Sequence, residues 1–216
     1  MKILLVRHAE SLGNLRGEIQ GQQESPLSET GQQQAQQLAQ YLQHQIWSPT
    51  HIYTSPLQRA RQTAEILALG RPLLLESTLM EIHNGILEGL TWTEAQLQYP
   101  QLCEQLLASS DPLRIPGAES LQAVAKRSRQ FWDKLGARHS DDDRLWIISH
   151  GGLLQYLIQV LLGCSAVWGL TILPTALFEF DCPAAARGSR HPYNPTTQVI
   201  RRFNERPHLL LSAALP

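Results

Sequence analysis

Residues 3–8 read Ile3-Leu4-Leu5-Val6-Arg7-His8, and residues 145–150 read Leu145-Trp146-Ile147-Ile148-Ser149-His150. Each stretch is a continuous apolar run that ends in a polar residue and a histidine. A continuous run, unlike an alternating one, is the pattern of a strand buried on both faces, as in a parallel sheet covered by helices. In open parallel sheets the ligand crevice lies beyond the carboxyl ends of the strands. If both runs are strands of one such sheet, His8 and His150 arrive at the same edge.

The segments around these two runs supply helices and further strands. Residues 30–46 carry Ala35, Leu38, Leu42 and Ile46 on one helical stripe, with glutamines on the other face. Ile52-Tyr53-Thr54 is a short strand. Ser55-Pro56-Leu57-Gln58 then has the look of a helix start, with Ser55 as N-cap and proline at the first helical position. That helix runs to about Leu69 and stops at Gly70, before a third strand at Leu73-Leu74-Leu75. Two short amphipathic helices fit residues 93–99 and 101–108. After Pro116-Gly117, a stripe of Leu121, Val124, Ser128, Phe131 and Leu135 predicts a long helix. Residues 153–162 predict another helix, and residues 176–180 and 198–203 two late strands. Strands alternating with helices mean an α/β layered sheet, mostly parallel, in one domain spanning residues 1–216.

Composition narrows the function. The chain has 216 residues, 43% hydrophobic and 17% charged, which excludes a disordered polyelectrolyte. A formal net charge of -1, from 18 Lys+Arg and 19 Asp+Glu, excludes a globally basic nucleic-acid binder. Cys103, Cys164 and Cys182 form no CxxC pair, so neither a zinc knuckle nor a redox pair is available, and reduced thiols of a cytoplasmic protein are expected. The run Ile3–Val6 is too short for a signal-peptide core. The apolar residues 153–162 are interrupted by Gln155 and Gln159 and fall short of a membrane span.

The basic residues point to an anion. Arg59 and Arg61 fall in the first turns of the helix after Ser55, where the macrodipole already favours negative charge. Arg7 adjoins His8, and Gly151-Gly152 opens another helix N-terminus beside His150. Arg61 reads as a surface ion pair; Arg7 and Arg59 read as an anion pocket whose ligand is a phosphoryl group.

Leu5-Val6-Arg7-His8-Ala9-Glu10-Ser11, followed by Asn14, resembles the signature of the histidine phosphatase (phosphoglycerate mutase-like) superfamily. Further blocks are similar in the same order: residues 55–64, Leu79-Met80-Glu81-Ile82-His83-Asn84-Gly85 with Glu88-Gly89, Pro116-Gly117-Ala118-Glu119-Ser120, and Ser149-His150-Gly151-Gly152. Phe203-Asn204-Glu205 with His208-Leu209 is similar to the family's usual ending. Ala9 stands where the family has glycine, and Gly13 where an aromatic residue is common. Residues 181–195 look like an insertion. The expected fold is a three-layer α/β/α sandwich with a mostly parallel central sheet and a small helical lid at residues 82–118.

The resemblance implies roles. His8 is the nucleophile, through a neutral imidazole with an ordinary pKa near ~6.5. Arg7, Arg59 and His150 surround the transferred group; Asn14, Gln20 and Gly151 complete the substrate site. Glu81 gives a proton to the leaving oxygen, and Glu88 is structural. No metal or cofactor is implied. The lid holds one fixed cation, Arg114, whereas the family's mutases resemble one another in a longer, more basic insertion. The expected activity is therefore a phosphatase on a small phosphorylated metabolite, with phosphoglycerate mutase and a catalytically silent phosphate-binding module as alternatives. A zinc hydrolase is disfavoured because no HxH or HExxH spacing occurs. Neither nucleic acid nor membrane is an expected partner, and a homodimer stays open.

Overall fold

The computed structural model describes residues 1–109, 115–164, 169–182 and 198–211. In chain order its first half contains β1 (Lys2–Arg7), α1 (Leu12–Arg16), α2 (Glu29–Gln45), β2 (His51–Thr54), α3 (Gln58–Ala68) and β3 (Leu74–Leu75). There follow α4 (Trp92–Gln98), α5 (Pro100–Ser109), α6 (Leu121–Arg138), β4 (Arg144–Ser149), α7 (Gly151–Leu162), β5 (Leu177–Asp181), β6 (Val199–Glu205) and α8 (Pro207–Leu211).

Along β1 the side chains alternate between two cores. Ile3 and Leu5 pack with Val124, Phe131 and Leu135 of α6 and with Leu153, Leu154 and Leu157 of α7. Leu4 and Val6 pack on the other face with Leu38 and Leu42 of α2 and Ala60, Ala64 and Leu67 of α3. A strand buried on both faces requires a helical layer on each, and the three-layer sandwich follows. The sheet order is β3-β2-β4-β1-β5-β6. The first four strands in that order pair in parallel, and β5 and β6 add an antiparallel edge. Among the described residues no helix is long and apolar enough to cross a membrane.

Residues 82–118 contain a small core of their own. Leu87, Ala95, Cys103 and Ile115 are buried together, with Ile19, Tyr99 and Leu102 packed against them. Tyr99 and Leu102 are thus packing residues, whereas Leu97 on α4 is 79% exposed. Arg114 and most of the expected insertion, residues 183–195, lie outside the described residues.

One helix start differs from the sequence expectation. The N-cap of α3 is Leu57, with no side-chain cap, and the helix begins two residues later than a Ser55 cap implies. Ser55 is drawn elsewhere: its hydroxyl bonds to Nε2 of His150 at 2.8 Å and accepts from the Leu57 N–H at 3.3 Å. A second difference is α1, which no apolar periodicity announces. It is held by a capping box between Ser11 and Asn14 and ends at Gly17 with φ 71.

Ser128 sits in the α6 stripe with no exposed surface, and its hydroxyl has no hydrogen-bond partner. A buried unmet hydroxyl costs about 1–3 kcal/mol, and alanine is also the better helix former. Ser128→Ala is therefore expected to stabilise the fold by about 1 kcal/mol. A raised urea midpoint at unchanged m-value supports this; a lowered midpoint means the hydroxyl has a partner in solution.

Candidate active site

The parallel register of β1 and β4 places Arg7 opposite Ser149, and that of β2 and β4 places Thr54 opposite Ile148. The next residue of each strand, His8, His150 and Ser55, therefore emerges at one sheet edge. The backbone of His8 is fixed on both sides. Its N–H donates to the Ser149 carbonyl at 2.9 Å, and the following N–H, of Ala9, donates to Thr63 Oγ1 at 3.0 Å. The methyl of Ala9 is accommodated by packing with Leu27 and Ala35.

Nδ1 of His8 lies 2.7 Å from the Ala9 carbonyl. A carbonyl only accepts, so Nδ1 carries the proton and Nε2 keeps its lone pair. The ring is 2% exposed. Burial, with Arg7 and Arg59 adding to it, holds its pKa well below the ordinary value, so the expectation of an unperturbed imidazole is corrected. The His150 ring centroid is 5.1 Å away, and burial together with Arg59 and His8 lowers that pKa likewise. Both histidines are neutral at physiological pH.

The two arginines are gripped by backbone carbonyls. Arg59, 1% exposed, donates from Nη1 to Gln23 O at 2.8 Å and from Nη2 to Gly21 O at 2.7 Å. Arg7 donates from Nη1 to the Ile172 carbonyl. Burial lowers both guanidinium pKa values, and the Glu81 carboxylate works against it, but an arginine side chain stays cationic in a protein. Nε of Arg7, Nε of Arg59 and Nδ1 of His150 are all buried without a hydrogen-bond partner. Ser55 Oγ accepts from the Leu57 N–H; when it gives its own proton to His150 Nε2, the ring proton lies on Nδ1 and all three atoms are unmatched N–H donors. Buried donors are rarely left unmatched, and three of them on the residues that neighbour His8 fit a bound oxyanion.

A cavity of about 180 Å³ opens on His8 and the two arginines. It is lined by Arg7, His8, Asn14, Gln20, Arg59 and Glu81, all expected from the sequence, and also by Glu18 and Asn84. His150 and Gly151 are not among its lining residues. His150 has no exposed surface, and Gly151 lies against the Arg7 guanidinium, where an added Cβ would sit 3.4 Å from Nε. Gln20 packs over Gly13, where a Cβ would come within 2.6 Å of its side chain and push it aside.

Glu81 reaches the N-terminus of α7. Its Oε1 accepts from the N–H groups of Ile82 and Leu153, both at 2.9 Å, and Oε2 accepts from Gly152 at 3.0 Å. A Cβ at position 152 would sit 2.7 Å from Oε1, so any other residue there displaces the carboxylate from the helix N-terminus. Glu88 accepts from the N–H groups of Gln22 at 2.9 Å and Asn84 at 2.8 Å. It thereby holds the loop whose carbonyls grip Arg59, consistent with the structural reading. Arg61 makes the expected surface pair, 3.8 Å from Glu65.

Sequence reasoning missed two supporting residues. One is Ser55 as the partner of His150. The other is Arg127, which bonds the carbonyls of Thr78, Met80 and Glu81 while pairing with Glu119 at 2.7 Å. A single arginine on a helix carries no pattern that would have revealed it.

The family model of the histidine phosphatase superfamily (branch 1) matches residues 3–187. The chain is 37% identical over 168 residues to the probable phosphoglycerate mutase GpmB of Photorhabdus laumondii, covering 77% of each. It is 37% identical over 158 residues to a metal-independent phosphoserine phosphatase of Arabidopsis thaliana, covering 71% of this chain and 66% of that one. Its fold is similar to that of a phosphoserine phosphatase from Entamoeba histolytica solved with 3-phosphoglyceric acid. The TM-score is 0.75 at 26% identity, over 96% of this chain and 98% of that one.

Burial of His8 and His150 has a consequence for stability. In the unfolded chain a histidine takes up its proton near pH ~6.5, while the buried rings resist until well below that. The unfolded state then binds more protons, so stability is complete above about pH 6.5 and falls below it, by up to ~1.4 kcal/mol per pH unit for each histidine. A urea midpoint that drops between pH 7 and 5 is expected for the ligand-free protein. A midpoint flat over that interval contradicts the burial of neutral rings.

Proposed function

The chain belongs to branch 1 of the histidine phosphatase superfamily, and we propose that it is a phosphomonoesterase that hydrolyses a small phosphorylated metabolite through a phosphohistidine on His8, without a metal ion. The observation that carries this reading is the free Nε2 of a neutral, tautomer-fixed His8 among the unmatched donors of Arg7, Arg59 and His150. In the first step the Nε2 lone pair attacks phosphorus, a P–N bond forms and the P–O ester bond breaks. Arg7, Arg59 and His150 hold the equatorial oxygens, and such positioning and charge stabilisation supply most of phosphoryl-transfer catalysis. Asn14 and Gln20, on the cavity wall, orient the same group.

The leaving alkoxide needs a proton, and Glu81 supplies it. Of its two oxygens, Oε1 accepts two N–H bonds and Oε2 one, so Oε2 is the oxygen with room for the proton. In the second step the ionised carboxylate takes a proton from water as the water attacks phosphorus. The P–N bond breaks, inorganic phosphate leaves and His8 is regenerated. The fixed positive charges meet the need that a metal ion meets in other phosphatases.

The relation to a probable phosphoglycerate mutase supports a second reading, in which the phosphoryl group is handed to another substrate oxygen instead of water. Against it, residues 82–118 contain a single Lys or Arg, Arg114, too little charge to hold a second acidic group of a bisphosphorylated substrate. A panel of phosphomonoesters assayed with and without 2,3-bisphosphoglycerate separates the two. Release of inorganic phosphate independent of bisphosphoglycerate supports the phosphatase; phosphate migration that requires it supports the mutase.

His8→Ala is expected to abolish turnover, and the trapped wild-type phosphoenzyme to be acid-labile and alkali-stable. An acid-stable phosphoprotein, or an active His8→Ala variant, rules out His8 as nucleophile. Arg59→Lys is expected to impair catalysis severely, because lysine lacks the planar fork that spans Gly21 O and Gln23 O while leaving Nε free.

For Glu81 the test compares leaving groups. Glu81→Gln should slow phosphoenzyme formation from an alkyl phosphate by ~10²-fold or more and from 4-nitrophenyl phosphate far less, since a phenolate leaves with little help. Single-turnover rates isolate that step. Equal losses on both substrates place Glu81 in binding or structure instead.

A further inference from the structure

Residues 171–176 grip both the nucleophile and its neighbouring arginine. The Ile172 carbonyl accepts from Arg7 Nη1, and the Ala176 carbonyl accepts from the Arg7 N–H at 3.1 Å. The Thr175 N–H is shared between the carbonyls of Arg7, at 3.2 Å, and His8, at 3.3 Å. To reach them Thr175 adopts φ 62, a left-handed conformation that a β-branched residue enters only under constraint.

The constraint comes from the end of the chain. Asn204 Nδ2 donates to Thr171 O at 2.9 Å, Arg206 Nη1 to Pro174 O at 3.5 Å, and His208 Nε2 lies 2.9 Å from Thr175 Oγ1. The last bond has one consistent direction. Thr175 spends its hydroxyl proton on the Pro174 carbonyl, so Oγ1 can only accept, and His208 must carry its proton on Nε2. Nδ1 of His208 is then a buried lone pair without a partner. The ring is 3% exposed, and burial, with Arg206 adding to it, pulls its pKa down to about 4. It is a neutral donor, and the cavity beside His8 does not include it.

We propose that residues 204–208 form a clamp that positions the nucleophile, with His208 acting through Thr175 on the backbone carbonyls of Arg7 and His8. The clamp rests on the phosphatase reading above, because it is defined by what it does to phosphoryl transfer. His208 touches neither substrate nor the reacting atoms; it is a positioning residue. Its removal lets Thr175 relax from positive φ, and both Arg7 and the imidazole shift with it. A displacement of about 1 Å at a reacting centre can cost ~10²-fold in rate.

Single-turnover release of 4-nitrophenolate from 4-nitrophenyl phosphate, read beside the melting temperature, tests this. His208→Leu, which has no donor, is expected to slow the first step by about 10- to 100-fold. His208→Gln presents an amide N–H at the same reach and is expected to recover most of the rate, which a merely space-filling role would not require. Thr175→Gly gives an independent check: glycine holds positive φ without strain, so the backbone grip on Arg7 and His8 persists although the hydroxyl link is gone. It is expected to melt near the wild-type temperature and to react much faster than His208→Leu, near the wild-type rate.

A wild-type rate in His208→Leu, or a Thr175→Gly variant as slow as His208→Leu, overturns the clamp alone. A wild-type chain that forms no acid-labile phosphoenzyme overturns the phosphatase reading and the clamp with it.

Discussion

The parallel, in-register pairing of β1 with β4 is the constraint on which the site depends. It sets Arg7 beside Ser149 and so delivers His8 and His150 to the same edge with ring centroids 5.1 Å apart. A slip of one residue would turn every side chain of β1 to the opposite core and carry His8 out of reach. The register is secured because both faces of both strands are buried: Ile3, Leu5, Leu145 and Ile147 toward α6 and α7, Leu4, Val6, Trp146 and Ile148 toward α2 and α3. Packing energy thus fixes the geometry of two histidines that contribute little packing themselves.

Around that pair the protein has concentrated buried donors and left three of them unmatched. Carbonyls of Gly21, Gln23 and Ile172 orient the two guanidinium groups without neutralising them. The Glu81 carboxylate is anchored on the N–H groups of Gly152 and Leu153, at the start of the helix that follows His150. Glu81 and His8, which donates its N–H to the Ser149 carbonyl, are consequently both referred to the junction of β4 and α7. The glycine at position 152 lets the Glu81 carboxylate come this close to the helix N-terminus.

The two apolar runs and the α6 stripe were legible because burial on both faces and helical burial leave distinct periods in a sequence. His8, Arg7, Arg59 and Glu81 were legible once the blocks around them could be placed in order. Other features left no such trace. The cap of α3 moved because Ser55 serves His150 across the sheet, a contact between residues 95 apart in sequence. Arg127 acts through backbone carbonyls, which any sequence can offer. The lowered pKa of His8 is a property of burial, which the residue and its neighbours do not reveal. Residues 114 and 183–195 lie outside the described residues, so the expectations placed on them stand as sequence readings.

In the proposed reaction phosphorus is attacked by His8 Nε2, beside Arg7, Arg59 and His150. Orthovanadate adopts the five-coordinate geometry of transferring phosphoryl groups, so a crystal structure of the protein soaked with it tests this directly. Vanadium is expected to bond His8 Nε2, with Arg7 Nε, Arg59 Nε and His150 Nδ1 each about 2.7–3.1 Å from its oxygens. Vanadate bonded to another residue, or held at this site with those three donors still unmatched, would contradict attack by His8 Nε2.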